Sequence, residues 1–110
     1  MARVLAFIPD LLFGSNVQAA LSAAGHHVEL VGTLDAQVSA DVLVVDLTAD
    51  AADRVEEARA ARREGVPVLA FYAHVETEVK RLAEDAGFDL VVPRSRMARE
   101  GAVLVERLSA

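Results

Sequence analysis

Apolar and polar positions along this chain follow two different periods. Short runs that are apolar at nearly every position, Val4–Ile8, Val28–Val31, Val42–Val45, Val66–Tyr72 and Leu90–Val92, alternate with longer stretches where apolar residues recur every three or four positions. The short runs have the length and β-branched content of strands buried on both faces, and the longer stretches read as helices with one face in a core. Phe13, Val17, Ala20, Leu21 and Ala24 form the first stripe, and Ala51, Val55, Ala58 and Arg62 the second. Val75, Val79, Leu82, Ala83 and Ala86 form the third, and Ala98, Ala102, Val105 and Leu108 the last. Gly25, Gly65 and Gly87 close the first three stripes, where a helix end favours a left-handed residue. Between the second and third runs, Gly32–Ala40 is too short for a helix with its loops, so a turn or one helical turn is expected there.

Strands that alternate with helices and are apolar throughout predict a parallel sheet covered on both faces. Right-handed crossovers between five strands favour the order 2-1-3-4-5, a three-layer α/β/α, flavodoxin-like fold. The crevice of such a sheet opens at the strand ends where the winding reverses, here between strands one and three. It would collect Pro9 and Asp10, Asp46 to Thr48, Tyr72 to His74, and Arg94 to Arg96. Asp46 stands out because it ends the apolar run Val42–Val45 with a carboxylate.

Composition narrows the classes. At 110 residues, 54% of them hydrophobic and 25% charged, the chain has the size and balance of one globular domain spanning residues 1–110. Seventeen acidic residues against eleven basic ones argue against nonspecific nucleic-acid binding. With no cysteine, disulfides, thiolate nucleophiles and Cys-based zinc sites are excluded, which suits a reducing cytoplasm. No apolar run approaches the roughly 20 residues that span a bilayer, and the early Pro9 and Asp10 do not fit a signal peptide. No phosphate-binding glycine loop and no nucleophile elbow is present, so no catalytic residue is assigned and no enzyme activity is expected.

The crevice candidates each carry two readings. Asp46 either takes part in chemistry, paired with Arg94 or modified, or folds back to cap the turn that follows it. Asp10 either supplies one oxygen to a cation or caps the first helix. A helix starting only at Ser15 would leave Leu11, Leu12 and Phe13 as an apolar lid, whereas the unbroken stripe from Phe13 favours the earlier start. His74 either meets an anion or sits on the surface. Arg94, Ser95, Arg96 and Arg99 form a local basic cluster that either grips an anion in two-point fashion or is solvated. His26 and His27, being adjacent, do not make a metal site.

The chain also resembles the response-regulator receiver domain over nearly its whole length, specifically its degenerate bacterial members. The features that carry the resemblance are the apolar first strand, the strand-ending Asp46, Val66-Pro-Val-Leu-Ala-Phe71 as strand four, the helix end Ala83-Glu-Asp-Ala-Gly87 and the final strand. The resemblance implies that Asp46 stands where receivers accept a phosphoryl group. It also exposes three departures. The acidic pair that holds Mg²⁺ in receivers falls on Ile8 and Pro9, with Asp10 one step late. The Ser or Thr ending strand four is replaced by Tyr72 or Ala73. The Lys before Pro is replaced by Pro93-Arg94. A hard divalent cation needs several oxygens, and Asp10 plus Asp46 is a thin set, so no cofactor is expected and Asp46 is expected to be a vestigial acceptor.

The expectation is therefore a signalling module that works by protein–protein contact without robust phosphorylation. In receivers the face built from the last two helices and the fifth strand is where partners dock or copies dimerise. Here it offers Glu76, Lys80, Glu84, Arg96, Arg99 and Glu106, which suits a homodimer. Two alternatives are a sensor of small anions or phosphorylated metabolites, using Arg94, Ser95, His74 and the amides opening the first helix, and a working receiver using Asp10, Asp46 and Arg94.

Overall fold

A computed structural model describes residues 2–34, 39–73 and 77–110. Its elements follow the alternation: β1 (Arg3–Phe7), α1 (Leu11–Ala23), β2 (His27–Val31), β3 (Val42–Asp46), α2 (Ala51–Ala61), β4 (Val68–Tyr72), α3 (Thr77–Asp85), β5 (Leu90–Pro93) and α4 (Arg94–Ser109). The strands form one parallel sheet in the order β2-β1-β3-β4-β5, as the crossover rule predicts. The register sets Phe7 beside Val45, Asp46 beside Phe71 and Tyr72 beside Pro93, so the strand ends rise together around Asp46.

The central strands are buried because helices cover both sides. β3 and β4 are buried at every position. On one face, Val17 and Leu21 of α1 and Met97, Leu104 and Val105 of α4 pack against Val4, Ala6, Val44, Leu69 and Phe71. On the other, Val55, Ala58 and Ala61 of α2 and Ala83 of α3 pack against Phe7, Leu43, Val45, Ala70 and Tyr72. Alternate residues of one strand thus feed opposite layers, as the two-residue period of a strand requires.

Two glycines have distinct reasons. Gly25, just beyond α1, takes φ +95°, the left-handed geometry that ends a helix. Gly14 is a close-approach position: a Cβ there would lie 2.9 Å from Leu30 Cδ1 and 3.3 Å from the Ile8 carbonyl. That clearance brings α1 down onto β2 and fixes how its first turn sits over the crevice. Part of the Gly32–Ala40 segment, and the start of the third apolar stripe at Val75, lie outside the described residues.

Candidate functional site

The crevice lies at the carboxyl ends of β1, β3, β4 and β5. Asp46 ends β3 and is only 2% exposed, one of two buried polar or charged residues among those described. Its Oδ1 accepts two hydrogen bonds from Thr48, from the backbone N–H at 2.8 Å and from the hydroxyl at 2.5 Å. This is the turn-capping arrangement of a short carboxylate folded back on the backbone two residues ahead. The other oxygen, Oδ2, lies 3.4 Å from Nη1 of Arg54, whose side chain is 14% exposed. The same Nη1 donates to the Asp46 carbonyl at 3.1 Å. The cation that answers Asp46 therefore comes from the first turn of α2.

Arg54 is the site residue that sequence reading missed. It sits eight positions after Asp46, on a helix rich in other charges. Two of these, Glu56 and Arg59, form an exposed pair in which the guanidinium's hydrogen bond and charge hold the carboxyl below its usual range. The usable signal was local. A helix starting soon after a strand-ending carboxylate brings a long cation in its first turn back over the strand end. Asp50, which precedes α2, has φ 47° and makes no side-chain capping bond. It is the one non-glycine residue with positive φ among those described, so the turn is bent tightly where Arg54 reaches back.

Arg94 does not pair with Asp46. Its guanidinium lies over the ring of Phe13, 4.8 Å from the centroid, and Phe13 in turn packs on Phe71 with centroids 5.1 Å apart. A planar guanidinium stacks well on an aromatic face, so the residue expected to face the carboxylate is held against α1. Arg96 likewise turns along α4, 3.6 Å from Glu100. Ser95 is exposed and, with Phe13, Ala73, Arg94 and Ala98, lines an open hollow beside the N-terminus of α4. Tyr72 is buried in the layer under α2 and α3 and does not line the crevice. The strand-end geometry points alternate side chains to opposite faces, and Tyr72 falls on the one covered by α2 and α3. His74 lies outside the described residues.

Asp10 caps α1. Its Oδ1 accepts the Phe13 N–H at 3.0 Å, so the helix begins at Leu11, as the unbroken stripe favours. Leu11 and Leu12 nevertheless stand out in solvent, 77% and 76% exposed. The anion reading loses part of its support at the first helix, where the Asp10 carboxylate already accepts the Phe13 N–H, one of the amides it was to use.

A receiver-type Mg²⁺ site does not fit these residues. The two positions of the acidic pair are Ile8, buried in the core, and Pro9, and neither carries a side-chain oxygen. Asp10 is committed to its cap and Asp46 to Thr48 and Arg54. No group of three or more His, Asp or Glu side chains able to hold a metal ion occurs among the described residues.

Solved structures give the same fold. The Francisella response regulator 1452 receiver domain superposes with a TM-score of 0.81 at 19% identity, covering 99% of this chain and 97% of that one. The non-phosphorylated receiver domain of HemR from Leptospira biflexa gives 0.79 at 20% identity, covering 100% and 95%. The receiver domain of the sensor histidine kinase PA1611 from Pseudomonas aeruginosa, solved with magnesium in its active-site cleft, gives 0.74 at 19%, covering 98% and 97%. No protein-family model matches the sequence, and no curated protein matches it. The chain thus has the fold of response-regulator receiver domains, end to end, as the sequence resemblance implies. No described helix is long and apolar enough to cross a membrane.

Proposed function

We propose that this chain is a receiver-fold signalling module that acts by contact with another protein and is not driven by robust phosphorylation of Asp46. The reading rests on one observation. The carboxylate at the acceptor position is 2% exposed, bonded twice by Thr48 and faced by Arg54. Phosphoryl transfer to aspartate needs a free oxygen aligned with the incoming group and a metal to offset the charge. Here the oxygens are already engaged, and Ile8 and Pro9 stand where the metal ligands would be. The partner is a protein, met at the mixed-charge face of α3, β5 and α4, where Lys80, Glu84, Arg96 and Arg99 lie. A polar rim of that kind sets orientation and encounter rate.

The test is amide NMR with Mg²⁺ and then with beryllofluoride, a mimic of the aspartyl phosphoryl group. The expected spectrum is unchanged. Shifts centred on Asp46, Thr48 and Arg54 would overturn the reading and make the chain a working receiver.

A second reading, a sensor of small phosphorylated anions, draws on the open hollow lined by Arg94 and Ser95, where Pro93 gives α4 no side-chain cap. A thermal-shift series with phosphate-bearing ligands separates the two. A sensor gains stability as RT ln(1 + [L]/Kd), and a protein-binding module does not respond.

A further inference from the structure

Helix α1 is the unusual surface of this molecule. Among the described helices it alone carries no charged residue. Its solvent side presents Leu12, Asn16, Ala19 and Ala23, all exposed. These fall at spacings of four, three and four, a single stripe opposite the buried Gly14, Val17 and Leu21. Leu11 and Leu12 are the two most exposed large apolar residues among those described. Beside the stripe, between α1 and α4, lies a hollow of about 100 Å³ lined in part by Asn16, Ala20, Ala98, Gly101 and Ala102. A projecting leucine and an apolar hollow therefore lie on adjoining parts of one surface.

That pairing is self-complementary. If two copies cross antiparallel near Asn16, the two-fold axis sets Leu12 of each copy against Ala20 of the other, at the edge of its hollow. The step from 12 to 16 equals the step from 16 to 20, about 6 Å each along the helix. An isologous contact requires just this, that residue i meets j while j meets i. The charge distribution allows the same occupant. Each copy carries a net charge of −6, so a contact between copies is least opposed where no like charges are pressed together, and α1, with no charged residue, is such a surface. Its alanines let two backbones approach closely.

We infer that a second copy of this chain docks on α1, with Leu12 of each copy seated in the α1–α4 hollow of the other. The interface is distinct from the α3–β5–α4 face, leaves that face free for a different protein, and does not depend on the fate of Asp46.

Sedimentation of the full chain over a concentration series tests this. The expected wild-type behaviour is reversible dimerisation. Leu12→Glu weakens it by roughly a hundred-fold or more, since a carboxylate is driven into an apolar hollow. The melting temperature of the dilute protein stays the same, because Leu12 is exposed in the single chain. Arg96→Glu, on the other face, leaves the dimer intact. The chain has no cysteine, so Asn16→Cys places one thiol per copy near the axis and gives a disulfide-linked dimer on mild oxidation. Val103→Cys, exposed on α4, does not. A wild-type chain that stays monomeric at every concentration overturns the inference, whatever other protein binds α1. So does a dimer that survives Leu12→Glu or is broken by Arg96→Glu, and so does cross-linking by Val103→Cys in preference to Asn16→Cys.

Discussion

Replacing Asp46 with alanine removes three things at once. Thr48 loses the acceptor for its N–H and its hydroxyl, and Arg54 loses the carboxylate 3.4 Å away. Removing one member of a buried ion pair costs about 3–5 kcal/mol when the survivor is stranded. Arg54 is not fully stranded, because it keeps a 3.1 Å bond to the Asp46 carbonyl and its side chain is 14% exposed. Hydrogen bonds to a charged group contribute about 1.5–3 kcal/mol, so a net loss of about 2–3 kcal/mol is expected for Asp46→Ala. Asp46→Asn keeps an oxygen for Thr48 and should cost about 1 kcal/mol, in the range of one ordinary hydrogen bond. Arg54→Met keeps the aliphatic stem but leaves a 2% exposed carboxylate with only Thr48 as partner, and should cost about 2–3 kcal/mol. Urea melts followed by circular dichroism give all three, and the double variant gives the coupling. The Asp46→Ala/Arg54→Met pair should fall short of additivity by about 1 kcal/mol, since contacting residues couple on that scale. Strict additivity, or an Asp46→Ala loss below about 0.5 kcal/mol, which is the level of an ordinary surface change, would refute the Arg54 contact.

Arg62 ends α2 by donating to the Val66 and Gly87 carbonyls at 2.8 and 3.0 Å and to Asp89 at 3.0 Å. Arg62→Lys should still lose about 1–2 kcal/mol in a chemical melt, because an ammonium cannot make this fork. The buried His26 accepts the Ala2 N–H on Nδ1 at 3.1 Å and holds Nε2 3.5 Å from Glu106. His26→Phe should cost about 1–3 kcal/mol by leaving that amide unbonded, and faster hydrogen exchange at the start of β1 would register it. Val44, fully buried in β3, should lose about 1–3 kcal/mol on truncation to alanine through lost burial and a small cavity, again read from a urea melt. Glu56 has its carboxyl held below the usual value of 4.5 by Arg59. Its small contribution is therefore present above that value and fades as pH falls through the lowered one. Glu56→Gln should match the wild-type melting temperature at acid pH and fall slightly below it at neutral pH and low salt.

Fold and site differed in how much the sequence revealed, and the reason is physical. Burial is a property of whole segments, so the β-branched runs and the helical stripes disclosed every strand, the order of the sheet and the early start of the first helix, while the cap at Asp10 was one of two readings. The ends shifted by a residue or two, as at β1, because cap geometry decides them. Side-chain partnerships depend on single rotamers across a crevice. The linear order placed Arg94 at the strand-five end, where a receiver would carry its cation, but an aromatic ring in α1 was the better partner for a guanidinium. Arg54 looked like one more charge on an exposed helix. Its one mark was its place in the first turn of the helix that follows a strand-ending carboxylate, and the tight turn at Asp50 completes its approach.

The exchange of one arginine for another alters what the crevice can signal. A switch needs two states that a modification or ligand tells apart, and a group that interacts equally with both shifts nothing. In this crevice the negative charge of Asp46 is answered within the chain by Thr48, on the β3–α2 connection, and by Arg54, in the first turn of α2, both close in sequence. Arg94, the residue best placed to link the carboxylate to β5 and α4, is held by Phe13 instead. Under the proposed reading, the strand-end chemistry is therefore uncoupled from the α3–β5–α4 face. That face is then fixed in one form, so its occupancy follows the concentrations of the chain and its partner. Asp46→Ala tests this consequence directly: it should lower stability while leaving the amide shifts of α4 beyond its first turn unchanged. Widespread shifts along α4 would mean that a path from Asp46 to the docking face persists.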